Sequence, residues 1–596
     1  MFVAAVGCGA HATPSAAPAP SASALDLRVP LAPAQRRWVD STLATLTLRQ
    51  RVGQMVMIWM LGDYTNTRDT AYAQIIRWVE RDGIGGVSMS LGTPIEVAAK
   101  LNDLQRRARV PLLVSSDLEP GLGRLEGGLF AHYMLDAGGA TVFPTAMAIA
   151  ATGRDDDAYD VGRAIASEGR AAGIHVNFAP VVDVNNNPAN PVINTRSFGE
   201  DPARVARLSA LFVRGTRDGG ELATAKHFPG HGDTDVDSHV GLPIVGADRA
   251  RLDAVELVPF RAAIAEGAPL VMTAHIALPA VQGDSTTPAT LAPRIITDLL
   301  RDTLGFRGVA ITDAMTMEGV GKGYSTEQSS VLAVKAGADI LLKPSDPVRA
   351  IDAVAGAVER GEISRARIDS AARAVLELKV RSGAAANPVV SLERLRDVVG
   401  SPEHRAIAAS IAQRSLTLLR DRDTLIPMAA DSGRVLVVRY APETEIKAGR
   451  AFDAALDAAL RGARSGRARR TAVARVDPGA TRDLLDSLDR VADASTAVIV
   501  TAYVRRVEGA GRVAVPSHIA GWIDALARRR PVIVVAFGNP YLIGQFSSVG
   551  TYLAAYGVSD DLERAAVAAL LGRAPITGRA PISLPGVFAA GAGLRR

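Results

Sequence analysis

Cysteine is almost absent from this chain: Cys8 is the single one in 596 residues. An intramolecular disulfide and a cysteine-based metal cluster are therefore excluded, and any chemistry runs on His, Asp, Glu, Ser or Lys. Aromatic residues are scarce as well, 5% of the chain with four Trp, which suits a small pocket better than a long aromatic-lined cleft. Charge of one sign is lacking, because 67 Lys and Arg stand against 62 Asp and Glu. So slight an imbalance, spread over the chain, gives no basic stripe for nucleic acid. No segment approaches the ~20 uninterrupted apolar residues of a membrane helix. Nor is there a GxGxxG or Walker A pattern to cradle a nucleotide.

What is present begins with an address. Ala5-Val6-Gly7-Cys8 is similar to a bacterial lipobox, in which the cysteine carries lipid, and a Pro/Ser/Ala-rich tether follows. The segment before Cys8 is shorter than the ~7–15-residue apolar region of an export signal and has no basic start. The expectation is an exported, membrane-anchored lipoprotein or periplasmic protein whose start lies upstream of Met1. The alternative is an ordinary N-terminus on a cytoplasmic protein.

Beyond residue 50, short apolar runs alternate with helical patterns. The runs 52–59, 84–89, 111–116, 174–182, 222–226, 270–275, 308–312 and 338–343 make eight, with helix candidates such as 156–172, 250–265 and 293–304 between them. Eight βα units in some 300 residues predict a (β/α)8 barrel of the TIM type. Such a barrel carries its active site at the C-terminal ends of the strands. Asp117, Arg196, Lys226, His227, His275 and Asp313 fall there. A helix over 365–382 closes this body, and the Gly/Ala/Asn/Pro segment 383–388 reads as a linker. Four more runs, 434–440, 497–503, 531–537 and 551–556, predict an α/β sandwich. The division expected is 1–30 for the export segment and tether, 31–385 for the barrel, and 386–596 for the sandwich.

Segment 226–243 holds three His, three Asp and a Lys, with three Gly and two Pro shaping it as a loop. Three chemistries fit. A metal site could use His227, His231, Asp233 and His239, but Pro229 and Gly230 break the helix that would align the first two rings. The loop could instead satisfy its own backbone amides. In the third reading Asp237, two residues before His239, orients that imidazole and steadies its charged form, making it a proton donor and acceptor near neutral pH. Asp313, directly after a buried run, is a candidate nucleophile or metal ligand, or the N-cap of the next helix.

The Lys226-His-Phe-Pro-Gly-His-Gly-Asp-Thr234 motif, the Asp237-Ser-His239 pair and Ile311-Thr-Asp-Ala-Met-Thr-Met317 together resemble the β-N-acetylglucosaminidase branch of glycoside hydrolase family 3. Segments 177–184, 196–201, 336–339 and 538–541 extend the resemblance from about residue 45 to the C-terminus. It implies Asp313 as nucleophile, His239 as general acid/base and Asp237 as its partner, with Asp117, Arg196, Lys226 and His227 holding the sugar. The implied reaction is retaining hydrolysis of terminal β-linked N-acetylglucosamine through a covalent glycosyl-enzyme, with no metal and no cofactor. β-Glucosidase or β-xylosidase activity is the alternative within the family. A histidine acid/base also leaves room for phosphate as acceptor, since no second carboxylate repels the anion. Where the family commonly shows Asp-x-Glu-Gly-Gly, this chain has Asp117-Leu-Glu-Pro-Gly, which leaves the role of Arg124 open. Glu508, in a glycine-rich stretch of the sandwich, is the rival acid/base.

Overall fold

The computed structural model describes residues 20–123, 139–428, 434–461, 471–505 and 513–596. Eight parallel strands form the first body: β1 (Val56–Leu61), β2 (Gly86–Ser90), β3 (Leu113–Ser116), β4 (Val176–Asn177), β5 (Leu222–Phe228), β6 (Leu270–Thr273), β7 (Val309–Thr312) and β8 (Leu341–Leu342). Their order is β7-β6-β5-β4-β3-β2-β1-β8. The ring closes where Ile311 bridges Ile340 and the Thr312 amide donates to the Ile340 carbonyl at 3.0 Å. It is a (β/α)8 barrel.

Side-chain alternation sorts the strand residues into two layers. Met57, Leu113, Leu222, Val309 and Ile311 pack with one another inside the barrel. Val56, Ile58, Val114, Ala223, Ala225 and Ala310 pack outward against the helices. Those helices carry strong end signals. Thr93, for instance, caps Pro94–Arg107 by accepting from the Glu96 amide, with Pro94 in the first turn and Glu96 reaching back to the Thr93 amide.

The second body is a six-stranded sheet: β9 (Thr417–Asp421), β10 (Val435–Tyr440), β11 (Thr471–Val476), β12 (Ala497–Val504), β13 (Val532–Gly538) and β14 (Thr551–Ala554). The order is β11-β10-β12-β13-β14-β9, parallel except for the antiparallel β14–β9 pair. Both faces are covered by helices, so its central strands are apolar on both sides.

One of these faces also buries Met147, Ala148 and Ala151 from the barrel's helix Ala146–Ala151. The loop after β4 is pinned across the same boundary. Asn185 donates to the Tyr541 hydroxyl at 2.9 Å, Asn194 to Asn539 Oδ1 at 3.3 Å, and the Ser583 amide to Glu200 Oε2 at 2.8 Å. Gly199, with φ +138°, lies so close to Pro581 that a Cβ would sit 2.4 Å from its carbonyl oxygen. Only glycine tolerates both the backbone angle and the approach.

Two local expectations change. The first apolar run begins as a helix, Leu48–Gln54, because Thr47 and Gln50 form a capping box, and the strand starts only at Val56. The 174–182 run contributes just Val176–Asn177 to the ladder, with Val181 rejoining at a single bridge to Lys226; Pro180 has no amide hydrogen to donate there.

Candidate active site at the barrel mouth

Alternation delivers the polar residues to the mouth. On β3 the inward series is Leu113, Ser115 and then Asp117; on β5 it is Leu222, Thr224 and Lys226; on β7 it is Val309, Ile311 and then Asp313. Each apolar floor residue is followed, two and four positions on, by groups that end facing the opening. The β5–β6 ladder slips between Lys226 and Phe228, which takes His227 out of the strict alternation.

Lys226 is 1% exposed, and a buried ammonium is costly unless paired. Its Nζ donates to Asp117 Oδ1 at 2.6 Å and lies 2.8 Å from Glu119 Oε1. Glu119 in turn receives both arms of Arg196, Nε at 2.7 Å and Nη2 at 2.6 Å. That two-pronged geometry suits a planar guanidinium. Burial alone would weaken the charged guanidinium, but Glu119 outweighs it and holds Arg196 protonated more firmly than usual. Asp117 remains 48% exposed, so the pair presents a carboxylate edge to the opening.

Behind this row stands Asp183. Its Oδ2 lies 2.7 Å from His227 Nδ1, and its Oδ1 accepts the His231 amide at 2.7 Å. Burial pushes the Asp183 carboxyl up, yet His227 and His231 more than offset it and the group stays ionised. With Nδ1–H directed at Asp183, His227 turns Nε2 toward Arg196 Nη2, 3.4 Å away.

The loop after β5 is built as a brace. His231 Nδ1 meets Thr234 Oγ1 at 2.7 Å and Nε2 meets Ser238 Oγ at 3.0 Å. Burial, followed by His227, lowers the pKa of His231 to about 4, so it stays neutral and can accept from Ser238. Gly232 packs against Val184, whose carbonyl oxygen a Cβ would meet at 1.8 Å. Ser238 is thereby fixed between Asp237 and His239. Asp237, with its side chain 1% exposed, accepts from the His239 amide at 2.9 Å and lies 2.7 Å from His239 Nδ1. The His239 side chain is 28% exposed. The Ser238 carbonyl accepts from the Gly319 amide at 3.1 Å, and the Val240 carbonyl from Lys322 Nζ at 3.0 Å. Those two bonds tie this loop to the one after β7.

That second loop carries Asp313. Its Oδ1 accepts from the Ala314 amide at 2.7 Å, and His275 Nε2 holds the Ala314 carbonyl at 3.0 Å. Burial would raise the Asp313 pKa, but the fields of His227 and His275, the Ala314 amide and Lys226 take it from 3.8 down to about 2. The carboxylate is ionised at every working pH. It does not cap the next helix: Glu318–Gly321 begins later, with Met317 at its cap.

The structure thus gathers Asp117, Arg196, Lys226 and His227 into one network, pairs Asp237 with His239, and sets Asp313 in the field of that network. Two members were unassigned at the sequence level. Asp183 is the penultimate residue of the 177–184 segment, and Glu119 lies two residues after Asp117 where it links both cations. Cys8, Arg124 and Glu508 lie outside the described residues. Among the described residues no cluster of three or more His, Cys, Asp or Glu is arranged to hold a metal ion.

A (β/α)8 barrel with an ionised carboxylate beyond β7, a carboxylate-oriented imidazole on the loop beyond β5, and buried charges converging on the mouth has the build of a glycoside hydrolase. The chain belongs to glycosyl hydrolase family 3: the model of that family's N-terminal domain matches residues 47–378. It is 30% identical over 570 residues to a β-N-acetylglucosaminidase/β-glucosidase of Cellulomonas fimi, covering 91% of this chain and 95% of that one. It is also 33% identical over 423 residues to β-hexosaminidase A of Pseudoalteromonas piscicida, covering 64% and 69%. A solved family 3 β-N-acetylglucosaminidase from Paenibacillus sp. strain FPU-7 superposes with a TM-score of 0.79 at 34% identity, over 91% of this chain and all of the other.

Proposed function

We propose that the protein is a retaining exo-β-N-acetylglucosaminidase that removes terminal N-acetylglucosamine from cell-wall or chitin-derived fragments. The observation that carries this reading is the Asp237–His239 contact on a loop tied to the one bearing Asp313. Asp117, Arg196, Lys226 and His227 hold the terminal sugar. Asp313 attacks the anomeric carbon while protonated His239 gives its proton to the departing glycosidic oxygen, leaving a covalent glycosyl-Asp313 ester. Neutral His239 then takes a proton from water as that water attacks the same carbon, releasing the sugar with its configuration retained and restoring both groups. Asp237 steadies the positive ring each time it forms. Retaining glycosidases with two carboxylates place them about 5–5.5 Å apart; an imidazole in the second position removes one negative charge from the acceptor's path.

The names of the Cellulomonas fimi and Paenibacillus proteins support the N-acetyl substrate, and the former also names a glucosidase. A panel of aryl β-N-acetylglucosaminide, β-glucoside and β-xyloside, assayed with and without phosphate, separates the choices. The N-acetyl substrate is expected to lead in kcat/KM by about tenfold or more. Preference for the glucoside would overturn the substrate assignment, and sugar 1-phosphate as the main product would make the enzyme a phosphorylase.

We also propose that the enzyme is exported and lipid-anchored through Cys8, on the strength of Ala5-Val6-Gly7-Cys8. Mass spectrometry of the mature N-terminus from the native host is expected to find a diacylglyceryl cysteine there; an unmodified Met1 would refute it.

A further inference from the structure

The alternation that brings Asp117, Lys226 and Asp313 to the opening applies equally to β1. Met57 lies in the barrel floor, where Ser115 Oγ reaches its sulfur at 3.0 Å, while Val56, Ile58 and Met60 face the helices. Trp59 and Leu61 therefore face the mouth, and each is 38% exposed. Trp59 pairs in register with Ser88 on β2, a neighbour with a small side chain. On its other side is Lys343, directly after β8. The Lys343 amide donates to the Met57 carbonyl at 2.7 Å, and its backbone is left-handed, φ +50°, which is uncommon for a residue with a side chain. From there Lys343 Nζ lies 4.3 Å from the centre of the Trp59 ring, so a cation–π contact fixes the plane of the indole.

Position around the ring decides what the wall formed by Trp59 and Leu61 serves. Asp117, Arg196, Lys226 and His227 come from β3 to β5 and their loops. β1 stands across the barrel from β5, and β8 and then β1 follow β7 and Asp313 around the ring. By strand order, a glycan whose terminal sugar is held on the β3–β5 side would reach this wall by extending past Asp313. An indole with its plane fixed is suited to the apolar C–H face of a pyranose, whose hydroxyls point sideways to water.

We propose that Trp59, steadied by Lys343 and flanked by Leu61, is the platform for the second sugar of the substrate, the one that leaves. This subsite rests on the glycosidase reading above and makes the enzyme selective for glycans over glycosides with small leaving groups. The test compares kcat/KM on N,N′-diacetylchitobiose with kcat/KM on β-N-acetylglucosaminyl fluoride, whose leaving group is a single atom. The ratio of the two is expected to fall about tenfold in Trp59→Ala and in Trp59→Gln, which keeps bulk without the aromatic face, and to be largely kept in Trp59→Phe. An unchanged ratio in the Ala and Gln variants, whether through equal losses on both substrates or no loss on either, overturns the platform. A wild-type enzyme inactive on both substrates would remove the activity reading itself, and the platform with it. Activity on the fluoride with an unchanged ratio would remove the platform alone.

Discussion

Asp313→Asn is expected to lower kcat on an aryl β-N-acetylglucosaminide by about 10⁴ or more, with little change in fold or in KM. The amide has the same shape and keeps an oxygen for the Ala314 amide, so the loop after β7 has no reason to move. What is lost is the negative charge that, on the proposed mechanism, makes this oxygen a nucleophile toward the anomeric carbon and leaves a neutral ester. Added azide, a small external nucleophile, is expected to restore part of the rate and to yield the glycosyl azide of inverted configuration. Residual activity above about one per cent without azide would place the nucleophile elsewhere. The pH profile provides a second check. Asp313 is held near pKa 2 in the folded protein against an ordinary 3.8. A depressed carboxylate contributes stability above pH ~4 that is lost as pH falls toward 2. Loss of activity between pH 4 and 6 must then come from another group. A nucleophile titrating there would contradict the charge arrangement around His227, His275 and Lys226.

His239→Ala is expected to be the second largest effect, and to depend on the substrate. A substrate with a poor leaving group needs a proton on the departing oxygen, and its rate is expected to fall by about 10²–10³. A dinitrophenyl glycoside departs without help, so formation of its glycosyl-enzyme slows far less. Hydrolysis of that intermediate still lacks a base, so it accumulates and gives a burst. The diagnostic quantity is the slope of log(kcat/KM) against leaving-group pKa, shallow in the wild type and steep in the variant. If Glu508→Ala steepened the slope and His239→Ala did not, the acid/base would belong to the sandwich domain.

Much of this is legible in the sequence. The barrel could be counted because its strands are buried on both faces and stand out as apolar runs between helices. The 226–243 loop announced itself because no packed helix or strand face would carry so many ionisable groups. The misses have physical causes. β9 and β11 escaped notice because they lie at the two ends of the sheet: β11 is only half-buried or exposed until Val476, and β9 is a short strand antiparallel to β14, met on its other side by a single bridge from Leu418 to Leu594. Glu119 and Asp183 went unassigned because their partners are distant in sequence: Arg196 for the first, His227 and His231 for the second. A carboxylate whose work is to hold another side chain leaves no local pattern. Trp59 was hidden differently, inside a run that read as plain strand, until the alternation along β1 showed which way it faced.

The loop after β4 carries Arg196, and the sandwich grips that loop at Asn185, Asn194, Gly199 and Glu200. The barrel alone is thus an unfinished active site. The guanidinium that anchors Glu119, and through it the buried Lys226, takes its bearings from a neighbouring domain that itself contributes no described member of that charge network. The boundary between the two bodies is then better seen as a jig than as a hinge: whatever loosens it would displace Arg196 from Glu119 well before either half came apart.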